Sequence, residues 1–393
     1  MTILIITDYY PPDRIGGVGT IAHDLAEAYR TLGHRVLVLT TGGSRDEPGV
    51  IRGARSLVWG VLGNNLRALR LIRSERVSLV HLHQAGTTPF LALRPIMRTF
   101  PFVLDSLQVS YVSEAREIRK RTVAGRRFAP RLGEWVERWV LAPMHVALDA
   151  IGVAFSDAVT AVSEENRREL ERAYGRLGLR TVTVIPNGVA PASAAPSGFR
   201  DGALEERLRG RVIVGHLGVL RARKRVENLL LAVAAIARDC PQAVLLVVGG
   251  GRGYEGPLRA LAADLGIADQ VIFTGAVPPD RAHYYMSLVD VFCLLSSYEG
   301  MPMALLEAMR QGKAVIATDC YGMRDILHGT DAGILVPVDD VTASAHAIRS
   351  LVSDPERRRA LGDAARERVA KHHTWDAIAR RYLALPQTPE TKG

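Results

Sequence analysis

Cysteine is scarce in this chain of 393 residues: Cys240, Cys293 and Cys320 stand far apart, each among apolar neighbours. They offer neither a zinc-ligand spacing nor a disulfide framework, and they fit a reducing compartment. Long hydrophobic runs are lacking too. The longest, Val140 to Val162, is broken by His145, Asp149 and Asp157, which a bilayer-spanning helix would not carry. The opening MTILIITDYYPP has no basic leader, and Asp8 cuts its apolar run short, so it reads as a buried strand rather than a signal peptide. No G-x-G-x-x-G loop follows that strand and no acid ends the next one, which disfavours a nicotinamide dinucleotide. Aromatic residues are few and are not interleaved with the basic clusters. The net charge of +9, carried almost wholly by arginine, therefore does not read as a nucleic-acid surface. It leaves anionic lipid or a phosphorylated substrate as the counterpart.

What is present is a globular composition, 48% apolar and 23% charged, in a chain long enough for two α/β domains. Ile3 to Thr7 reads as a strand, Ile15-Gly16-Gly17-Val18-Gly19 as a loop, Thr20 to Leu32 as an amphipathic helix, and Arg35 to Thr40 as the next strand. This is a Rossmann-like unit, and Gly16 and Gly17 let the backbone come close to a phosphate. A third strand, Val77 to Leu82, ends in His81 and His83, which share one side at i, i+2. They could pair on a metal, but no third ligand is near in sequence, and no metal is expected. A fourth strand, Pro101 to Leu104, places Asp105 in the following loop, as its ionisable group or as a turn cap. Residues 111–139 mix arginines with Phe128, Trp135 and Trp139, a pattern that suits either a solvated helix or an anionic membrane surface. Ser163 is positioned to cap a helix. Val182 to Ile185 then leads to Pro186-Asn187-Gly188-Val189, and Ala190 to Gly202, rich in Pro, Ala, Ser and Gly, marks the domain boundary.

The second half starts again with a strand, Val212 to His216, followed by Gly218 and the basic run Arg221, Arg223, Lys224, Arg225 before a helix. Cations at that turn are well placed to neutralise phosphates. Further strands run from Ala243 to Val248, ending in three glycines, and from Val271 to Gly275 around Phe273. The stretch Ser296 to Thr318 organises the rest. Glu299 and Gly300 precede Pro302, expected at a first helical position. Met303 to Arg310 is helical, Gly312 ends it, and a strand follows. The free amides and dipole of that helix start suit an anion, with Glu299 beside them and Glu307 eight positions on.

The E-x7-E spacing set between Gly-Met-Pro and Gly-Lys-Ala-Val-Ile closely resembles the donor-site signature of the retaining GT-B glycosyltransferases of family 4. The Gly16-Gly17 loop, the Pro-Asn-Gly-Val ending and Lys224 are similar to further parts of that family's pattern, which runs from Gly16 to about Asp339. The resemblance implies two Rossmann-like α/β domains facing each other across a cleft. Residues 1–190 would bind the acceptor, 191–371 the nucleotide sugar, and 372–393 would form a helix crossing back to the first domain. Three positions depart from the family: Val219 replaces an arginine, leaving Arg221 or Arg223 to substitute, Leu107 stands near a usual histidine, and Ala190 at a usual acid.

The implied activity is hexosyl transfer from a nucleotide-diphosphate sugar, a UDP-sugar foremost, to an acceptor hydroxyl. It would proceed with retention and without metal or cofactor. Lys224, Gly17 and the amides after Gly300 would stabilise the leaving diphosphate, Glu299 would hold sugar hydroxyls and Glu307 the ribose. Gly16, Gly218, Arg223, Met301, Met303, Ala304 and Phe273 complete the donor-side set. His81, His83 and Asp105 are the acceptor-side candidates, and Glu299, Lys224 and Asp105 the catalytic ones. The acceptor would be a glycan, a lipid-linked sugar or a small aglycone. The expected location is the cytoplasm, with peripheral membrane contact through residues 116–139. A nucleotide-sugar epimerase of the same fold and a non-catalytic glycan- or lipid-binding protein are the rival readings.

Overall fold

The computed structural model describes residues 1–11, 17–41, 47–53, 57–83, 89–97, 99–108, 122–123, 126–127, 142–177, 181–190, 198–251 and 253–387. Gly16, the greater part of the basic 116–139 segment and residues 191–197 of the linker fall outside that set. The chain divides into two compact units, one of Met1–Ala115, Pro130–Gly188 and Thr374–Gly393, the other built on Val189–His373.

In the first unit, strands β1 (Thr2–Thr7), β2 (Arg35–Thr41), β3 (Val50–Gly53), β4 (Leu79–His83), β5 (Phe102–Leu107), β6 (Ala158–Ala161) and β7 (Val182–Val184) form one seven-stranded sheet. Their order is β3-β2-β1-β4-β5-β6-β7, and every pairing is parallel. Parallel strands need crossover helices, which bury the sheet on both faces, so Ile3 to Ile6 is an unbroken apolar run. Helix α1 (Gly17–Thr31) starts three residues before the expected Thr20 and buries Ile21, Leu25 and Tyr29. On one face Leu4, Ile6, Val80, Leu82 and Val103 pack with Ala68 and Ile72 of α2 (Leu57–Ser74). Beyond α3 (Ala142–Phe155), Ser163 caps α4 (Glu164–Tyr174), its hydroxyl accepting from Asn166 N at 3.2 Å. The helix Trp375–Ala384 packs on α1, with Trp375 Nε1 donating to Asp24 Oδ2 at 3.2 Å. Gly188 lies so close to it that an added Cβ would stand 2.7 Å from the Trp375 ring.

The second unit repeats the plan. After α5 (Gly202–Leu208) come β8 (Val212–Leu217), α6 (Val226–Ile236), β9 (Ala243–Val248), α7 (Glu255–Asp264), β10 (Val271–Gly275), α8 (Pro279–Ser287) and β11 (Val291–Leu294). Then follow α9 (Met303–Arg310), β12 (Ala314–Thr318), α10 (Tyr321–Leu327), β13 (Ile334–Val336), α11 (Val341–Ser353) and α12 (Pro355–His372). The six strands lie parallel in the order β10-β9-β8-β11-β12-β13. Val214, Leu245, Val247, Val291, Cys293 and Ile316 pack against α6 and α11 on one face, while Val244, Leu246 and Val248 meet Tyr284 and Tyr285 of α8 on the other. Its long segment Val189–His373 begins and ends at one spot, since Val189 N donates to His373 O at 2.8 Å.

The glycines after β9 do more than end a strand. Gly218 N donates to Val248 O at 3.0 Å and Leu220 N to Gly250 O at 3.1 Å, so the turn after β8 lies directly on the turn after β9. Gly249 has φ +124°, and an added Cβ would sit 2.1 Å from Gly218 O. Gly249→Ala is therefore expected to cost about 3 kcal/mol, from backbone strain and overpacking together. Urea denaturation measures it, and a loss below 1 kcal/mol would show that the Gly218 turn gives way freely.

Candidate active site

The strand order of the second sheet reverses between β8 and β11, and the carboxyl ends of strands at such a point are where open α/β sheets bind ligands. The turn after β8 supplies Arg223 and Lys224 from a short 3-10 segment, Ala222–Lys224, and the loop after β11 supplies Glu299. The two loops are laced together: Ser297 N donates to Arg223 O at 2.8 Å, and Arg223 Nη1 donates to Tyr298 O at 2.9 Å. The same Nη1 lies 2.8 Å from Glu299 Oε2, while Lys224 Nζ lies 2.5 Å from Glu299 Oε1. Ser296 Oγ also donates to Oε1, at 3.0 Å, and its own carbonyl accepts from Thr318 Oγ1.

Glu299 is 6% exposed, so burial alone would raise its carboxyl pKa, but Arg223 and Lys224 outweigh that and bring it down to about 2. Burial lowers the pKa of Lys224, against the pull of Glu299. Beside them is a residue that sequence reasoning passed over, His216, whose Nδ1 lies 3.3 Å from Cys293 O. Burial, then the Lys224 charge, pushes it down to about 4, so it is a neutral imidazole. Its place one residue before the end of a parallel strand was the available signal.

Pro302 was expected inside the helix, but it is the N-cap of α9, with an extended backbone (φ −78°, ψ 106°) and no side-chain cap. Proline's fixed φ suits either position. Without a capping side chain, the first amides of α9, at Met303 and Ala304, point out of the helix end. Leu305, Leu306, Ala308 and Met309 form the buried side of α9, which leaves Met303, Ala304 and Glu307 together on the partly exposed side.

The structure thus brings Gly218, Arg223, Lys224 and Glu299 into one cluster, with Gly300, Met301, Met303, Ala304 and Glu307 on the segment that continues from it. Arg223, not the exposed Arg221, reaches Glu299, and Val219 is exposed. Phe273 stands apart on the edge strand β10, its ring beneath the Arg259 guanidinium at 4.7 Å.

In the first unit His81 and His83 are fully buried within β4, which ends at His83. His81 Nδ1 lies 3.1 Å from the Tyr29 hydroxyl, and its ring meets Tyr382 edge-on at 4.8 Å. Burial holds both histidines neutral, His83 at about 4. Asp105 was expected in a loop after a strand ending at Leu104. The strand continues to Leu107, because β4 and β6 pair with it on both sides, and Asp105 lies opposite Leu82 and Val159. By alternation its side chain shares a face with Val103 and Leu107, opposite the histidines. There burial lifts it to about 7, near Asp149 of α3, whose own carboxyl is raised by burial and by Asp105. Gly17 opens α1 with nothing within 4 Å of an added Cβ. Among the described residues no group of three or more His, Cys, Asp and Glu could hold a metal, and no helix is long and apolar enough to cross a membrane.

Two parallel-sheet units of this order, with paired cations at the second reversal point, define an α/β protein of two Rossmann-like domains. Family models described as Glycosyltransferase Family 4 and Glycosyl transferases group 1 match residues 15–193 and 205–368. The chain belongs to the GT-B glycosyltransferases of group 1. It is 33% identical over 233 residues to the GDP-mannose-dependent alpha-(1-6)-phosphatidylinositol monomannoside mannosyltransferase of Mycobacterium tuberculosis, covering 57% of this chain. The match spans 60% of that relative's length. The protein of the same name from Mycolicibacterium smegmatis is 27% identical over 395 residues, 98% of this chain and 97% of its own. The sucrose-phosphate synthase of Thermosynechococcus elongatus shares the fold, with a TM-score of 0.75 at 22% identity over 98% of each chain.

Proposed function

We propose that this glycosyltransferase moves a hexosyl group from a nucleotide-diphosphate sugar to an acceptor hydroxyl, with retention at the anomeric carbon and without a metal. The observation that carries the reading is the pair of cations, Arg223 and Lys224, held at the end of β8 near the uncapped start of α9. Bond cleavage at the anomeric carbon puts negative charge on the leaving diphosphate. Preorganised cations and helix amides stabilise that charge, and such stabilisation is usually the largest catalytic contribution. Arg223 takes the place of the absent arginine at Val219. The leaving phosphate itself accepts the proton of the incoming hydroxyl, so the step needs no protein base.

Glu307, on the same side of α9 as Met303, binds the ribose hydroxyls. The nucleobase is read mainly by backbone at the strand ends, and the relatives named as GDP-mannose-dependent bring GDP-mannose forward beside the UDP-sugars. Their phosphatidylinositol mannoside acceptors favour a lipid-linked acceptor, with the basic 116–139 segment at the membrane face.

The test is a thermal-shift panel of GDP-, UDP-, ADP- and dTDP-sugars with magnesium and with chelator, followed by NMR of the product's anomeric proton. One nucleotide sugar should raise the melting temperature equally in both conditions. Inversion at the anomeric carbon, magnesium dependence, or an epimer in place of a glycoside would overturn the corresponding part. Glu307→Ala is expected to weaken nucleotide binding by about tenfold to a hundredfold, the worth of hydrogen bonds to a charged group. Unchanged affinity would refute the ribose role.

A further inference from the structure

Both carboxylate oxygens of Glu299 are engaged. Oε1 takes Lys224 Nζ at 2.5 Å and Ser296 Oγ at 3.0 Å, and Oε2 takes Arg223 Nη1 at 2.8 Å. In the reading above, on which this inference rests, the donor needs the same two cations for its diphosphate and needs Glu299 for its sugar. The two demands compete while the ion pairs stand, because the carboxylate already meets the charge of Nζ and Nη1 that the phosphates would draw on. We infer that Glu299 is a stand-in for the donor diphosphate, exchanged off Arg223 and Lys224 as the phosphates arrive and delivered by that exchange to the sugar hydroxyls.

The chemistry of the swap is balanced. Carboxylate and phosphate both offer charged oxygens to a guanidinium fork and to an ammonium. Lys224 is only 11% exposed, and a buried ammonium without an anion is costly and tends to lose its proton. One anion or the other therefore has to be present, and Glu299 keeps both cations charged and in place. The nearest further base, His216, is held neutral by burial and supplies no competing charge.

The latch is also built to let go. Glu299 is in the loop between β11 and α9 and is followed by Gly300, so its movement breaks no helix or strand. Its remaining tether is one neutral hydrogen bond from Ser296. Displacement then lowers apparent affinity by the fraction of molecules already unlatched, about tenfold for a tenth unlatched. A bare nucleoside diphosphate bears that cost in full, whereas a nucleotide sugar recovers part of it through Glu299.

The experiment is calorimetric titration of GDP, UDP, GDP-mannose and UDP-glucose into the wild type, Glu299→Gln and Ser296→Ala, with melting curves to confirm folding. Glu299→Gln is expected to bind the bare diphosphate about tenfold more tightly and to gain less from the attached sugar than the wild type does. Ser296→Ala keeps every charge and loosens only the tether, and should shift affinity the same way by a smaller factor. Weaker or unchanged diphosphate binding in Glu299→Gln would mean that the carboxylate merely orients the cations, and would overturn the exchange. Tightening in Glu299→Gln but none in Ser296→Ala would assign the effect to net charge and overturn it equally. If Glu299→Gln does not fold, Ser296→Ala decides alone. A wild type that binds no nucleotide of the panel would overturn the donor-site reading, and this inference with it.

Discussion

Lys224→Met is expected to slow glycosyl transfer by two to three orders of magnitude, about the loss seen when one preorganised donor to a developing anion is removed. The same change should destabilise the second unit by about 3–5 kcal/mol, because it strips a buried carboxylate of one partner. Methionine preserves most of the stem's packing, so the loss reports charge rather than volume. Arg223 still faces Glu299 Oε2 at 2.8 Å, which places the stability loss toward the lower end of that range. The double variant Lys224→Met with Glu299→Gln should recover most of the stability and none of the rate. Urea denaturation and initial rates separate the two effects. A rate within tenfold of the wild type would remove Lys224 from the leaving-group site.

Asp105→Asn is expected to stabilise the protein by about 4 kcal/mol at pH 8 while leaving it nearly unchanged at pH 3.5. Burial raises the native carboxyl from 3.8 to about 7. Between those values the folded chain holds a proton that the unfolded chain has released, so stability falls as pH rises through that window. Below it both states are protonated and the residue makes no difference, while above it the fold carries a buried carboxylate that asparagine does not. Asp149, raised by burial and by Asp105, adds to the same slope. Melting temperatures of both proteins from pH 3.5 to 8 check this. Parallel curves would show that Asp105 is not held neutral. The contrast with Glu299, ionised down to about 2, is that two cations outweigh burial there, whereas burial acts on Asp105 alone.

Much of the second unit was legible in sequence because its chemistry is local. Glu299, the helix Met303–Arg310 and Glu307 lie within a dozen residues, and strand ends such as Val248 carry glycines that mark them. What local pattern could not give was anything set by pairing across the sheet. The extent of β5, and with it the burial of Asp105, depends on β4 and β6, and Asp105-Ser106 reads as a loop when taken alone. The pairing of Arg223 with Glu299 goes with the hydrogen bond from Ser297 N to Arg223 O, between loops more than seventy positions apart. His216 was missed for the same reason, since its surroundings come from the neighbours β8 acquires at the order reversal.

The bond from Val189 N to His373 O has a consequence for how this chain can be rebuilt. The long segment Val189–His373 of the second unit has adjoining ends, the arrangement that tolerates excision and transplantation. A cassette cut there carries Arg223, Lys224, Glu299 and Glu307 together. On the proposed donor-site reading, donor preference should then transfer between relatives as one contiguous block, with the histidine-bearing sheet left as the constant recipient.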